Sequence, residues 1–157
     1  MDCLEYEGKA LFTRYDIAVP RGVVVSSPDA VDTLVPPVVV KAQVHAGGRG
    51  RAGGVRVANT PETRDAAVHA LLGAEVCGER CNTLLLEERI DAIAEYYVSF
   101  SYDTASRCPV LAVARTGGVR IADATITPID IRDGITDAAI ASSLECEAVP
   151  ASHRVSV

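Results

Sequence analysis

The chain has 157 residues, 48% of them apolar, which is enough to bury a core as one domain or two small ones. Its formal charge of −6 is carried by interspersed acids and bases, so nothing in the overall charge draws it to nucleic acid or to an anionic membrane, and any bound anion must be held locally. No apolar run approaches the roughly 20 residues that span a bilayer, and the opening MDCLEYEGK carries acids where a signal peptide carries bases. With five scattered cysteines and no secretory signal, the expectation is a cytoplasmic protein with reduced thiols.

In chain order, Asp2 is placed to cap a first helix with Glu5 three residues on, and Leu4, Leu11, Phe12 and Tyr15 recur at helical spacing. That helix is expected to end near Asp16. Gly22 to Val25 reads as a short strand, Pro28 to Leu34 as one or two helical turns, and Val38 to Lys41 as an apolar strand after Pro36-Pro37. A glycine-rich connection follows, then the alternating strand Val55-Arg56-Val57.

Thr60-Pro61 supplies a cap and an N1 proline for a helix that Gly73 can terminate. Thr83 to Leu86 is a second apolar strand ending in Glu87-Glu88. Tyr96, Val98, Phe100 and Tyr102 alternate with Glu95, Tyr97, Ser99 and Ser101 as a half-buried strand. After a turn at 103–108, Pro109 to Arg115 returns antiparallel, Thr116-Gly117-Gly118 turns again, and apolar alternation runs on to Ile131. Thr136 can cap a last helix through Leu144, followed by a polar tail.

The chemistry concentrates in VVVKAQVHAGGRGRAGGVRV, residues 38–57. Lys41 stands at the end of a buried strand, and the glycines after it allow backbone N–H groups to close on a polyphosphate while Lys41 with Arg49 or Arg51 neutralises its charge. Such a segment can also be a hairpin tip with solvated arginines. Gly48 to Gly53 matches G-x-G-x-x-G, but β-branched alternation follows where a dinucleotide fingerprint must open a helix, and no Gly-Lys-Ser/Thr completes a P-loop.

What remains is a strand, a glycine-rich flap and a strand. A base pocket is then sought in LLLEERIDAIAE, residues 84–95: Leu84 to Leu86 as a purine face, Glu87 as acceptor for an exocyclic amine, backbone near Ile90, and Glu95 for ribose hydroxyls. Taken singly, Glu87 with Glu88 reads as the end of a strand in water and Glu95 as a solvent-facing residue of the next strand; their value lies in combination with Lys41 and the flap. Cys77 and Cys81 stand four apart with no second cysteine pair, and His69 and His153 have no nucleophile beside them, so no metal ligand and no catalytic residue is assigned.

The segments 4–22, 39–57, 84–97 and 101–119, and HAGGRG followed by AGGV above all, resemble in order the opening of the succinyl-CoA synthetase β subunit (succinate–CoA ligase, ADP- or GDP-forming). That resemblance implies an α+β fold of the ATP-grasp type. It assigns 21–90 to a nucleotide-covering lobe, 1–20 with 91–135 to part of a second lobe, and 136–157 to a terminal helix and tail.

It further implies ATP or GTP bound by Lys41, Gly48, Arg49, Gly50, Arg51, Glu87, Ile90 and Glu95, and the reaction succinate + CoA + NTP giving succinyl-CoA + NDP + phosphate, a step of the tricarboxylic acid cycle. Partners would be a CoA-ligase α subunit, which carries the phosphorylated histidine so that His45 is not that residue, and a separate chain completing the ATP-grasp. The family's magnesium ligands and CoA-ligase domain have no match in these 157 residues. Arg120 follows GGV where an acid is common, and the stretch 73–82 is short for the family. A malate- or citrate-CoA ligase part, a non-catalytic nucleotide-binding module and a truncated fragment stay open beside the succinate reading.

Overall fold

The computed structural model describes residues 3–29, 34–115 and 124–150. The chain divides into two compact units, Met1–Asp91 and Ala92–Val157.

The first unit begins with helix α1 (Glu5–Arg14), capped at Leu4, whose N–H donates to the Glu7 carboxylate at 2.8 Å. The cap expected at Asp2 lies outside the described residues. At the other end Asp16 takes φ 57° and the Ile17 N–H reaches back to the Phe12 carbonyl at 3.0 Å, the left-handed stop that Asp tolerates better than most residues. Strands β1 (Gly22–Val25), β2 (Val38–Ala42), β3 (Val55–Ala58) and β6 (Leu84–Glu88) form one antiparallel sheet in the order β1-β6-β2-β3. The turn expected at 28–34 includes residues 30–33, which are outside the described set.

Helix α2 (Pro61–Leu71) starts as the sequence predicts, with the Thr60 hydroxyl accepting from the Thr63 N–H and proline at N1. It buries Ala67, Val68 and Leu71 against one face of the sheet, where they join Val38, Val40, Ala42, Leu84 and Leu86 in a single core cluster. Between α2 and β6 a two-stranded hairpin, β4 (Glu75–Val76) with β5 (Glu79–Arg80), turns through Cys77 and Gly78, both at positive φ. The sequence reading has no strands here, because Cys replaces the Asn or Asp that normally marks such a turn.

The second unit is a three-stranded antiparallel sheet, β7 (Tyr97–Asp103), β8 (Cys108–Ala114) and β9 (Thr125–Pro128), with helix α3 (Asp137–Cys146) upon it. Leu111, Val113 and Ile129 form its core with Ile140 and Leu144. The strand pattern of β7 is as expected, but its apolar row is not covered: Val98, Phe100 and Tyr102 are 54%, 52% and 61% exposed. β7 is an edge of the sheet, and α3 contacts β8 and β9. The turn expected at 116–118 lies outside the described residues. No helix among the described residues is long and apolar enough to cross a membrane.

Candidate functional site

In the β2–β6 register Val39 faces Glu87 and Lys41 faces Leu85, so these four side chains project from the sheet face opposite α2. Alternation thus converts an apolar strand into a two-sided element, with a hydrophobic core behind and an ionic cluster in front. Lys41 reaches diagonally to Glu87, its Nζ 2.6 Å from Oε2. Glu87 is only 2% exposed, so its charge requires paired cations. The second cation is Lys9 of α1, which meets Oε1.

Helix α1 brings a further carboxylate. Glu5 Oε1 lies 2.8 Å from Lys41 Nζ and 3.2 Å from Lys9 Nζ, and Oε2 lies 2.8 Å from Arg49 Nη2. Arg49 also donates through Nη1 to the carbonyl of Ala42 at 2.7 Å, which folds the loop back over the end of β2. Three cations against two carboxylates leave one positive charge in excess. Burial pushes the Glu5 carboxyl up, but the hydrogen bond from Lys41 and the charges of Lys41 and Lys9 more than reverse this, bringing it to about 2. Burial likewise pulls the Lys41 ammonium down, and its bonds to Glu5 and Glu87 outweigh that and raise it.

Two features hold this face in register. Gln43, buried just after β2, accepts from the Tyr6 N–H at 3.2 Å and donates through Nε2 to the Lys41 carbonyl at 3.2 Å, pinning the first turn of α1 to the strand that carries Lys41. The glycine segment closes as a tight turn, with the N–H groups of Arg51 and Ala52 donating to the Gly48 carbonyl and that of Gly54 to the Arg49 carbonyl at 2.8 Å. Gly48 needs its positive φ of 79°. A Cβ on Gly54 would stand 2.7 Å from Val76 Cγ1. Gly50, by contrast, is exposed, has no positive φ, and an added Cβ there would meet nothing within 4 Å.

Of the residues singled out from sequence, Lys41, Arg49 and Glu87 come together in one cluster, with Gly48, Gly50 and Arg51 in the adjoining turn. Strand β3 follows that turn at Val55 with no helix opening from it. Ile90 is 58% exposed in the first unit, and Glu95 is an exposed residue of the second. Leu84 and Leu86, expected on a purine face, lie elsewhere. They point into the α2 core, so of the three leucines only Leu85 shares the face of Lys41. Beside this face, a cleft of about 400 Å³ is lined by Tyr6, Lys9, Thr13, Pro20, Leu85 and Glu87.

Glu5, Lys9 and Gln43 carry no site signal in the sequence. The spacing of Glu5 and Lys9 is that of an ordinary solvated i,i+4 pair, and the grouping of 1–20 with 91–135 placed them elsewhere. In the structure α1 belongs to the first unit, because its charges find their partners on β2, β6 and the turn. Among the described residues no three His, Cys, Asp or Glu side chains gather in a way that could hold a metal ion.

Comparison with known proteins agrees with this architecture. The family model described as "ATP-grasp domain" matches residues 2–144. The GDP-forming succinate–CoA ligase β subunit of Thermus thermophilus is 38% identical over 125 residues, covering 77% of this chain and 33% of the relative. The ADP-forming β subunit of Chlorobium limicola is 36% identical over 137 residues, covering 77% and 35%. The chain thus spans about a third of the length of the curated relatives it matches.

Among solved structures, a dinucleotide-forming acetyl-coenzyme A synthetase of Ca. Korarchaeum cryptofilum superposes with a TM-score of 0.68 at 19% identity, over 91% of this chain and 65% of that one. ATP citrate lyase from Methanothrix soehngenii gives 0.65 at 23% identity, over 85% and 36%. At these identities the two neighbours speak for the fold. With the family model covering nearly the whole chain and both structures sharing its α+β arrangement, the chain belongs to the ATP-grasp domain family.

Proposed function

We propose that this chain is the ATP-binding portion of an acid–CoA ligase β subunit, with succinate as the acid. Lys41 and Arg49 neutralise the phosphates of ATP or GTP. The backbone of Gly48 to Gly50 closes on them, Arg51 adds charge from the rim, and Glu87 and Ile90 orient the nucleoside. Leu85 and Pro20 offer the base an apolar wall in the cleft beside Glu87. The carboxylate of Glu87 has acceptor capacity beyond its two lysines.

Residues 21–90 are the nucleotide-covering lobe in this reading. The reaction of the whole enzyme is succinate + CoA + NTP giving succinyl-CoA + NDP + phosphate, with a CoA-ligase α subunit as partner. Magnesium accompanies the nucleotide in this reading. The supporting names are those of the 36–38% identical relatives, and the acyl substrate rests on them alone.

The observation that carries the reading is the meeting of Lys41, Arg49 and Glu87 beside a turn whose Gly50 the fold itself does not require. Calorimetry with ATP and GTP, with and without magnesium, tests it. Weak binding is expected, lost in Lys41→Ala, since the ammonium supplies charge that no neutral side chain replaces. A coupled assay of the 157 residues with succinate and CoA should stay at background, because phosphoryl transfer needs bridging metal ions and a positioned acceptor. A folded chain with no nucleotide binding, or binding indifferent to Lys41→Ala, would overturn the reading.

A further inference from the structure

The carboxylate of Glu5 spans two cations, one oxygen 2.8 Å from Lys41 Nζ and the other 2.8 Å from Arg49 Nη2. Two oxygens of one phosphoryl group would bridge the same two cations in the same way. Besides tying α1 to β2 and the turn, the Glu5 carboxylate thus occupies the place a phosphoryl group would take. Glu87 shares Lys9 and Lys41 with Glu5 and would keep both if Glu5 withdrew, and Gln43 gives α1 a second tie to β2.

We infer that Glu5 is a built-in competitor for the phosphate site, a helix-borne carboxylate that holds Lys41 and Arg49 in place of a phosphoryl group and yields them to polyphosphate. This rests on the nucleotide reading above and adds to it a residue that sets affinity. The competition is one of charge. Glu5 offers a single negative charge on a short side chain, whereas a triphosphate offers several, so the exchange favours polyphosphate over lone carboxylates. Burial raises the Glu5 carboxyl and the contacts with Lys41 and Lys9 bring it down to about 2, so at neutral pH it stays ionised, and another anion rather than a proton must displace it.

The test titrates the full chain, Glu5→Gln and Glu62→Gln with tripolyphosphate and with ATP. Glu62, at the start of α2 on the other side of the sheet, controls for the change in net charge. Glu5→Gln should bind both probes about tenfold more tightly, the smallest effect expected for one charge-assisted hydrogen bond, and Glu62→Gln should bind as the wild type does. Equal or weaker binding by Glu5→Gln, with the wild type binding normally, would overturn the competitor role and leave the nucleotide reading standing.

No binding by any of the three would overturn both. Should Glu5→Gln fail to fold, the wild-type chain labelled with carbon-13 at glutamate decides. The Glu5 carboxyl resonance must move on saturation with tripolyphosphate, and an unmoved resonance would end the proposal.

Discussion

Gly50 separates what the fold needs from what a ligand needs. Its Cβ position is open and its backbone lies outside the left-handed region, so Gly50→Ala should leave stability unchanged or raise it by about 0.4–1 kcal/mol through the unfolded chain. The same methyl would stand where the backbone has to approach phosphate, and nucleotide affinity should fall. Urea denaturation and calorimetry on one preparation measure both, and a variant that binds normally would remove Gly50 from the site.

Glu5 makes a second claim at this scale. Its carboxyl lies at about 2 in the folded chain against an ordinary 4.5, so its stabilising contribution is complete above pH 4.5 and is lost as pH falls toward 2. Urea midpoints taken from pH 6 down to 3 should therefore fall less steeply for Glu5→Gln than for the wild type. Lys41, Arg49 and Glu87 were legible in the sequence because a lysine and an arginine flanking glycines, followed by a strand-end acid, form a pattern in one dimension. Glu5, Lys9 and Gln43 were not, because their meaning arises only when α1 crosses β2, and no local spacing records that crossing.

At the scale of the element, the sequence showed most of what capping and alternation control. Thr60-Pro61 opens α2, Thr136 opens α3 by accepting from the Ala139 N–H at 3.2 Å, and the β2–β3 pairing follows the alternation on both sides of the turn. It missed what depends on an unusual residue in a demanding conformation. Cys77 at φ 53° hid a hairpin, and Ala148 at φ 50° ends α3 where glycine is the common choice. There the Val149 N–H still closes on the Leu144 carbonyl at 2.9 Å, so the motif forms despite the steric cost of the methyl. Ala148→Gly should raise the thermal midpoint, with a gain of about 1 kcal/mol. An unchanged or lower midpoint would show that the strain is absent. The uncovered row on β7 has a similar lesson: alternation reports two faces but not which neighbour, if any, covers them.

For the whole molecule, each unit has a centre and edges of its own, which fixes an order of opening. In the first unit β6 is hydrogen-bonded on one side to β1 and on the other to β2, and in the second β8 lies between β7 and β9. Between the two sheets, residues 89–96 belong to no helix or strand. Strand β2 is likewise paired on both sides, by β6 and β3, so amide exchange with deuterated water should be slowest at 38–42, 84–88 and 108–114, with a sharp minimum of protection at 90–96. A single protected block running through the connector would contradict this two-centred picture. The carboxylate of Glu87 thus rides on one of the strands last to release their protons to solvent, while Arg49, linked to it through Glu5 and Lys41, is delivered by a turn among the first. The candidate site is assembled across that difference in local unfolding free energy, with a slow wall and a fast flap, and a bound polyanion would register as slowed exchange at 47–54 with little change along 84–88.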